Sequence, residues 1–304
     1  MQEIVKDWFL SYGVILDKRF TANQKLKFIK RTKAELENMG YKTEVSETKV
    51  TNRGFGSKTY NNLYAGDIVN SDIVIYTYYD TPTKSFFNNN KFAFNSNYDK
   101  KDTIVGLFLG IFIIFVSCLI LTNIIQPNIR LNGIFSFWGI SFIALCLIVF
   151  SLINKYKYGI AEKNNIVRNS SSIIAIMTLA KNLEEEYKNR VCFAFIDEGT
   201  SSEIGLKILD KYLPKRKKIK IYLDSVGADG NINILSNIKY KSSNIINMVK
   251  KYEKYGDILI TSGEFNNEKI EIKSTNYNDF EKFQEKNNDI VNQLTLIIKQ
   301  ILKK

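Results

Sequence analysis

The chain of 304 residues contains no histidine. That absence removes the most common general base, the most common zinc ligand and the imidazole that activates a serine or cysteine nucleophile. Ser170, Ser171 and Ser172 therefore have no triad to join and read as caps for the helix that follows them. Cysteine is scarce too, at three residues. Cys118 and Cys146 lie inside long apolar runs and Cys192 in a strand-like one, so no disulfide framework is indicated and all three read as small buried residues. The apolar neighbours of Cys192 also argue against a reactive thiol. No glycine-rich loop leads into a helix with Lys-Ser or Lys-Thr, and Gly227-Ala228-Asp229-Gly230 reads as a turn between strands. Met1 to Lys18 carries Glu3, Asp7 and Asp17 and lacks the continuous apolar centre of a secretory signal.

Two stretches, Ile104 to Ile125 and Leu131 to Ile153, contain no charged residue. About 20 apolar residues of helix cross the ~30 Å hydrocarbon layer of a bilayer, so each run is long enough to span one. The link Gln126 to Arg130 is short, which predicts an antiparallel transmembrane hairpin with both flanks on one side. Lys84, Lys91, Lys100 and Lys101 precede the first run and Lys155, Lys157, Lys163 and Arg168 follow the second, while the link holds only Arg130. By the positive-inside bias the expectation is a cell-membrane protein with two spans and both termini in the cytoplasm. Gly106 and Gly110, four apart, are expected to seat the second helix closely. The segments Lys84 to Asp102 and Asn154 to Asn169 would form the neck.

The formal charge is +12. Basic residues are spread along the chain, no nucleic-acid motif accompanies them, and the partner they suggest is the lipid bilayer rather than nucleic acid. One tight cluster, Lys215, Arg216, Lys217, Lys218 and Lys220, reads either as a contact for anionic lipid or as a solvated loop.

Outside the hairpin the pattern is α/β. Ala22 to Met39 has helical spacing and stops at Gly40, Tyr41 to Val50 alternates like a half-buried strand, and Asp72 to Tyr78 is a β-branched and aromatic run suited to a central strand. Ser172 to Leu183 and Ser202 to Tyr212 read as helices, Val191 to Ile196 and Ile219 to Leu223 as strands, and Asp289 to Leu302 as a closing amphipathic helix. Alternation of this kind predicts a mixed, mostly parallel sheet flanked by helices. Residues 1–102 and 154–304 are expected to form one cytoplasmic domain interrupted by the hairpin at 103–153.

The order of short motifs along that domain resembles the di-zinc exopeptidases, the family of bacterial leucyl aminopeptidases, glutamate carboxypeptidase and glutaminyl cyclases. A helix ending in Gly40-Tyr41, followed by Asn61-Asn62-Leu63-Tyr64-Ala65-Gly66, is similar to the segment before the family's first site strand. Asp72 to Pro82 resembles the strand ending in a His-x-Asp motif, and Ser171 to Lys181 the helix after a metal-bridging aspartate. Arg190 to Gly205 resembles the strand and turn with paired glutamates, Ile219 to Gly227 the next metal strand, and Ser274 to Phe283 a His-Thr-Pro-x-Asp segment.

The resemblance implies two zinc ions and a glutamate base, yet it places Tyr78 at the first ligand, Val167 or Arg168 at the bridging aspartate, Gly199 and Thr200 at the glutamate pair and Thr275 at the last histidine. Only Asp80 and Asp224 match family carboxylates. Shifting the alignment by two residues brings Asp197 and Glu198 onto the glutamate pair; the other reading makes them caps for a helix beginning near Ser201 or Ser202. Asp80 and Asp224, for their part, read equally as strand-end carboxylates bonded to neighbouring turns. Tyr76, Tyr78 and Tyr79 either line a peptide cleft or pack in the core. No cofactor and no bound metal are expected, and the balance falls against an enzyme. The leading expectation is a membrane-anchored, inactive relative that binds a peptide or membrane-protein partner at the cytoplasmic face, by analogy as an accessory to peptide export or self-protection. A divergent metal-dependent peptidase using Asp80, Glu198 and Asp224 is the first alternative, and a structural subunit of a transporter the second.

Overall fold

The computed structural model describes residues 2–52, 56–82, 91–94, 100–156, 161–162, 165–199, 202–214, 218–238, 245–266, 269–273 and 280–303. It divides into two units, Met1–Pro82 with Asn89–Asn97 and Glu162–Lys304, and Thr83–Asn88 with Tyr98–Ala161. In chain order the elements are α1 (Gln2–Leu10), α2 (Ala22–Asn38), β1 (Thr43–Asn52), β2 (Gly56–Ala65), β3 (Ile73–Tyr78), β4 (Lys91–Phe92), α3 (Lys100–Ile120), α4 (Gln126–Asn132) and α5 (Phe137–Tyr156). There follow α6 (Ser171–Asn182), α7 (Glu185–Lys188), β5 (Val191–Ile196), α8 (Ile204–Tyr212), β6 (Ile219–Leu223), β7 (Asn231–Ser236), β8 (Ile245–Asn247), β9 (Ile258–Asn266), β10 (Lys269–Ile272) and α9 (Phe280–Leu302).

In the first unit the strands form one mixed sheet with the order β1-β2-β5-β3-β6-β9-β10-β4, and β7 pairs with β9 and β8. Its centre, β5-β3-β6-β9, is parallel, with Tyr78 opposite Ile196 and Tyr76 opposite Tyr222. The wings are mostly antiparallel: β2 pairs with β1 and with β5, β9 with β7 and with β10, and β10 with β4, while β8 lies parallel to β7 at the margin. A mostly parallel sheet is therefore not what forms; alternation of strand and helix marks only the central block, and the polar alternation of β1 and β2 belongs to a hairpin. β3 and β5 are buried along their whole length, which is why both read as unbroken β-branched and aromatic runs.

One sheet face packs on α1, α2, α6 and α9 through Phe28, Leu36, Ile173, Met177, Leu294 and Ile298. The other is rich in tyrosine, with Tyr76 stacked on Tyr222 at 4.7 Å and Tyr222 on Tyr255 at 5.4 Å. Tyr76, Tyr78 and Tyr79 are thus core residues rather than cleft lining. α9 opens at Phe280, well before Asp289, because Phe280 and Phe283 close against Phe9 at 5.4 and 4.9 Å and outweigh the polar residues between them and Ile290.

The second unit corrects the expected link. Helix continues from α3 through a wider π turn at Leu121–Ile125 into α4, so Gln126 to Arg130 is helical. Pro127 has no N–H for an ordinary helical bond, and the π turn just before it accommodates that loss. The chain reverses instead after Gly133, whose φ of +81° no other residue adopts readily. Among the described residues one helix, Phe108–Asn132 with mean hydropathy 2.7, is long and apolar enough to cross a membrane, and its side chains are mostly exposed. The apolar part of α5, Phe137–Ile153, is shorter. α3 and α5 lie side by side, but nothing comes within 4 Å of a Cβ built on Gly110, so the glycine spacing does not seat α5 at that residue.

Of the basic cluster, Lys215, Arg216 and Lys217 lie outside the described residues. Lys218 is buried and donates to Val69 O at 3.0 Å and to Ser71, and Lys220 pairs with Asp210 at 2.9 Å. Both amines are bonded within the domain. Most of the expected neck falls outside the described residues, but its two roots are joined: the Glu162 N–H donates to Pro82 O at 2.9 Å.

Candidate functional site

Three neighbouring parallel strands end in carboxylates. β3 runs into Tyr79-Asp80, β5 into Asp197-Glu198 and β6 into Asp224, so all four acids sit at the C-terminal edge of the central block, the usual place for a site in an open α/β sheet. Asp80, Asp197 and Asp224 are at most 3% exposed. Four non-glycine residues among those described have positive φ, namely Phe94 (54°), Glu198 (52°), Glu203 (55°) and Ser225 (56°). Glu198 and Ser225 each follow a site aspartate, and the Phe94 amide is bound by Asp224. Conformations of this kind persist where surrounding bonds fix them, and they concentrate at functional sites.

Asp197 and Glu198 meet an ammonium. Lys25 Nζ on α2 donates to Asp197 Oδ1 at 2.5 Å and to Glu198 Oε1 at 2.9 Å. Glu198 Oε1 also accepts from Lys58 on β2 at 2.6 Å. Lys25 is buried, and burial by itself would lower its pKa; the charges of Asp80, Asp197 and Glu198 more than offset that and hold it above the usual lysine range. Asp197 further accepts from the Glu198 and Asn61 amides at 2.8 and 3.3 Å, while its own N–H donates to Asn62 Oδ1 at 2.9 Å. The expected capping role does not appear: α8 begins at Ile204 after Glu203, and no side chain caps it.

Asp224 meets a phenol and a guanidinium. Its Oδ1 accepts from Tyr78 OH at 2.9 Å and Ser225 Oγ at 2.8 Å, and its Oδ2 from the Phe94 N–H at 2.7 Å. Tyr78 OH in turn accepts from Arg168 Nε at 3.2 Å. Burial, then the charge of Asp224, raises the Tyr78 pKa far above its ordinary value, so the phenol keeps its proton and remains a donor.

Asp80 meets the backbone. Its Oδ1 accepts from the Gly199 N–H at 2.8 Å. Its carbonyl accepts from Asn169 Nδ2 at 2.7 Å, and beside it the fully buried Arg19 donates to Tyr79 O at 2.6 Å, to Tyr12 O at 2.9 Å, to Ser170 Oγ at 3.0 Å and to Asn169. Burial lowers the Arg19 pKa to about 10. Ser170 and Ser171 do not cap α6: Ser170 Oγ donates to Tyr12 O at 2.7 Å, and Ser171 Oγ accepts from the Gly227 N–H at 2.9 Å. Thr200, Ser201 and Thr275 lie outside the described residues.

The residues that sequence reasoning missed are the cations. Lys25 occupies the buried stripe of α2 with Phe28, Ile29, Thr32 and Leu36, while Leu26 is 43% exposed. A lysine one turn before Phe28 and Ile29 on an apolar stripe was the available signal. Arg168 stood at a position read only as unable to bridge metals, although a cation there is itself informative.

This arrangement of sheet and helices is the fold of the zinc-dependent exopeptidases and glutaminyl cyclases. The chain is similar to a Zn-dependent exopeptidase from Parabacteroides distasonis, at 12% identity over 98% of this chain and 97% of that one, with a TM-score of 0.54. A glutaminyl cyclase from Tannerella forsythia aligns at 11% identity over 97% of this chain and 98% of the other, also with a TM-score of 0.54. A glutaminyl cyclase from Porphyromonas gingivalis aligns at 12% identity and a TM-score of 0.44, over 78% of this chain and 64% of its own. No protein-family profile and no curated protein sequence matches.

Zinc, which that fold brings to mind, does not fit these residues. Zinc takes imidazole, thiolate and carboxylate donors. Here imidazole is absent from the chain, and among the described residues no three acidic or thiol side chains converge as a metal-holding group. The oxygens of Asp197 and Glu198 that face inward hold the Lys25 ammonium, and the Asp224 oxygens hold three hydrogen-bond donors. A divalent ion would have to displace a tethered cation of like sign.

Proposed function

We propose that this protein is membrane-anchored, performs no metal-dependent hydrolysis, and uses its exopeptidase-fold domain to bind a peptide or a membrane-protein partner at the cytoplasmic face. The observation that carries this reading is Lys25, whose ammonium is bonded to both Asp197 and Glu198. Arg168, one bond removed from Asp224 through Tyr78, supports it from the other side of β3. Anchoring is supported by the exposed apolar helix Phe108–Asn132, and a second span through α5 would bring the chain back to the side it left. The lysines that flank the two runs support a cytoplasmic position for that side by the positive-inside bias. Accessory work in peptide export or self-protection is a setting that fits such a domain.

A divergent metal-dependent peptidase using Asp80, Glu198 and Asp224 is compatible with the fold, and one experiment separates the two. The full chain, purified in mild detergent and dialysed against trace zinc, manganese and magnesium, is expected to retain no stoichiometric metal by mass spectrometry and to release no amino-terminal residue from test peptides. Retained metal, together with peptidase activity lost in both Asp80→Asn and Asp224→Asn, would overturn the proposal. Co-purification in a fixed ratio with a transporter would point instead to a structural subunit.

A further inference from the structure

We infer that Asp224 is a latch that fastens both ends of the hairpin-bearing insertion to the sheet, so that the two ends are released together when its carboxylate is lost or engaged elsewhere. On the incoming side, β4 pairs with β10, the Ala93 N–H donates to Ile270 O at 2.9 Å, and the next amide, that of Phe94, donates to Asp224 Oδ2 at 2.7 Å. Shortly afterwards α3 opens at Lys100. On the outgoing side, after α5, Arg168 is held twice by the same strand end. Its Nε donates to Tyr78 OH, which donates to Asp224 Oδ1, and its carbonyl accepts from the Ser225 N–H at 3.0 Å. Ser225 is itself tied to Asp224 Oδ1 through its hydroxyl at 2.8 Å. All of these residues belong to the first unit.

The backbone supports a latch rather than a passive contact. Phe94 and Ser225 both have positive φ, a region that bulky L-residues rarely enter without being held there. The Phe94 ring is gripped as well, 5.5 Å from Tyr252 and 5.8 Å from Tyr222. A buried carboxylate accepts few bonds beyond the three that Asp224 already makes. A cationic or amide group arriving at this strand end must therefore compete with Phe94 and Tyr78 for the same oxygens. Engagement of the Asp224 carboxylate by such a group and release of the insertion's ends become one event. This inference does not depend on the partner-binding reading, since it concerns how the chain is held whatever it binds.

Hydrogen exchange with mass spectrometry on the full chain in nanodiscs tests it. In Asp224→Asn, exchange in fragments covering Phe94 and in fragments covering Arg168 is expected to rise together by about tenfold or more, the change that follows from losing a charge-assisted bond, while β3 and β5 keep their protection. Tyr78→Phe removes only the hydroxyl joining Asp224 to Arg168, and is expected to raise exchange at Arg168 with little change at Phe94. Wild-type exchange at both segments in Asp224→Asn would overturn the latch. So would a uniform rise across β3, β5 and β6, which would make Asp224 a general prop of the domain, and so would Tyr78→Phe without effect at Arg168.

Discussion

Replacing Lys25 by methionine keeps most of the side chain's length and apolar stem and removes its charge, so the change isolates the ammonium. The loss falls chiefly on Asp197, which is 2% exposed at its side chain and has no other cation within bonding distance among the described contacts. Glu198 retains Lys58 at 2.6 Å, but the Lys58 side chain is 55% exposed. Exposed pairs of that kind contribute only about 0–1 kcal/mol. Breaking a buried pair by deleting one partner costs about 3–5 kcal/mol, against a total stability on the order of 5–15 kcal/mol for a domain. The chain has two tryptophans, Trp8 buried in the first unit and Trp138 in the second. In a Trp138→Phe background, urea unfolding followed by tryptophan fluorescence in mild detergent thus reports the first unit alone. Lys25→Met is expected to lose about 3–5 kcal/mol there, and Lys25→Arg less. In a double-mutant cycle with Asp197→Asn the coupling is expected to be about 2 kcal/mol. A loss under about 1 kcal/mol, or independent effects of the two substitutions, would refute the assignment of Lys25 as the counter-cation of these acids.

A Cβ on Gly205 would lie 1.9 Å from Asp197 O and 2.8 Å from its nitrogen. Gly205→Ala is therefore expected to push α8 from the strand end and lower stability by about 1–3 kcal/mol, read from the urea midpoint. Burial raises the Cys192 thiol to about 12. At pH 8 only ~10⁻⁴ of it is thiolate, so iodoacetamide should leave Cys192 unlabelled until the domain is unfolded, as peptide mass spectrometry would show. Glu203 is desolvated, which raises its pKa, but bonds from Lys254 and Tyr255 at 2.7 Å outweigh this and hold it below its ordinary value. A carboxyl depressed in the folded state adds stability above its unfolded pKa and gives it up as pH falls through the folded one. Glu203→Gln should thus lower the urea midpoint slightly at pH 7, and the difference from wild type should shrink as pH falls below the ordinary glutamate range.

The central strands were legible because burial on both faces leaves an unbroken β-branched and aromatic signature, as in Ile73–Tyr78 and Val191–Ile196. α2 was legible from its spacing and its stop at Gly40. α1 was not, since its buried residues Val5, Trp8 and Phe9 are separated by charged ones and acquire meaning only against α9. The hairpin's bend was misplaced because Pro127 reads as a breaker, whereas a π turn carries the helix past it to Gly133. At the candidate site the acids could be picked out as strand ends. Their partners could not: Lys25 lies far from Asp197 in sequence and Phe94 far from Asp224, and short-range patterns hold no record of such pairings.

A positive charge that belongs to the chain has no dissociation constant. An ion drawn from solution must be found after synthesis, competes with other ions for its place and leaves when a chelator lowers its concentration. Lys25 arrives with the polypeptide and stands within reach of Asp197 and Glu198 as soon as α2 docks on the sheet. The acids at the end of β5 therefore receive this counter-charge from the chain itself, at the moment the helix that carries it packs.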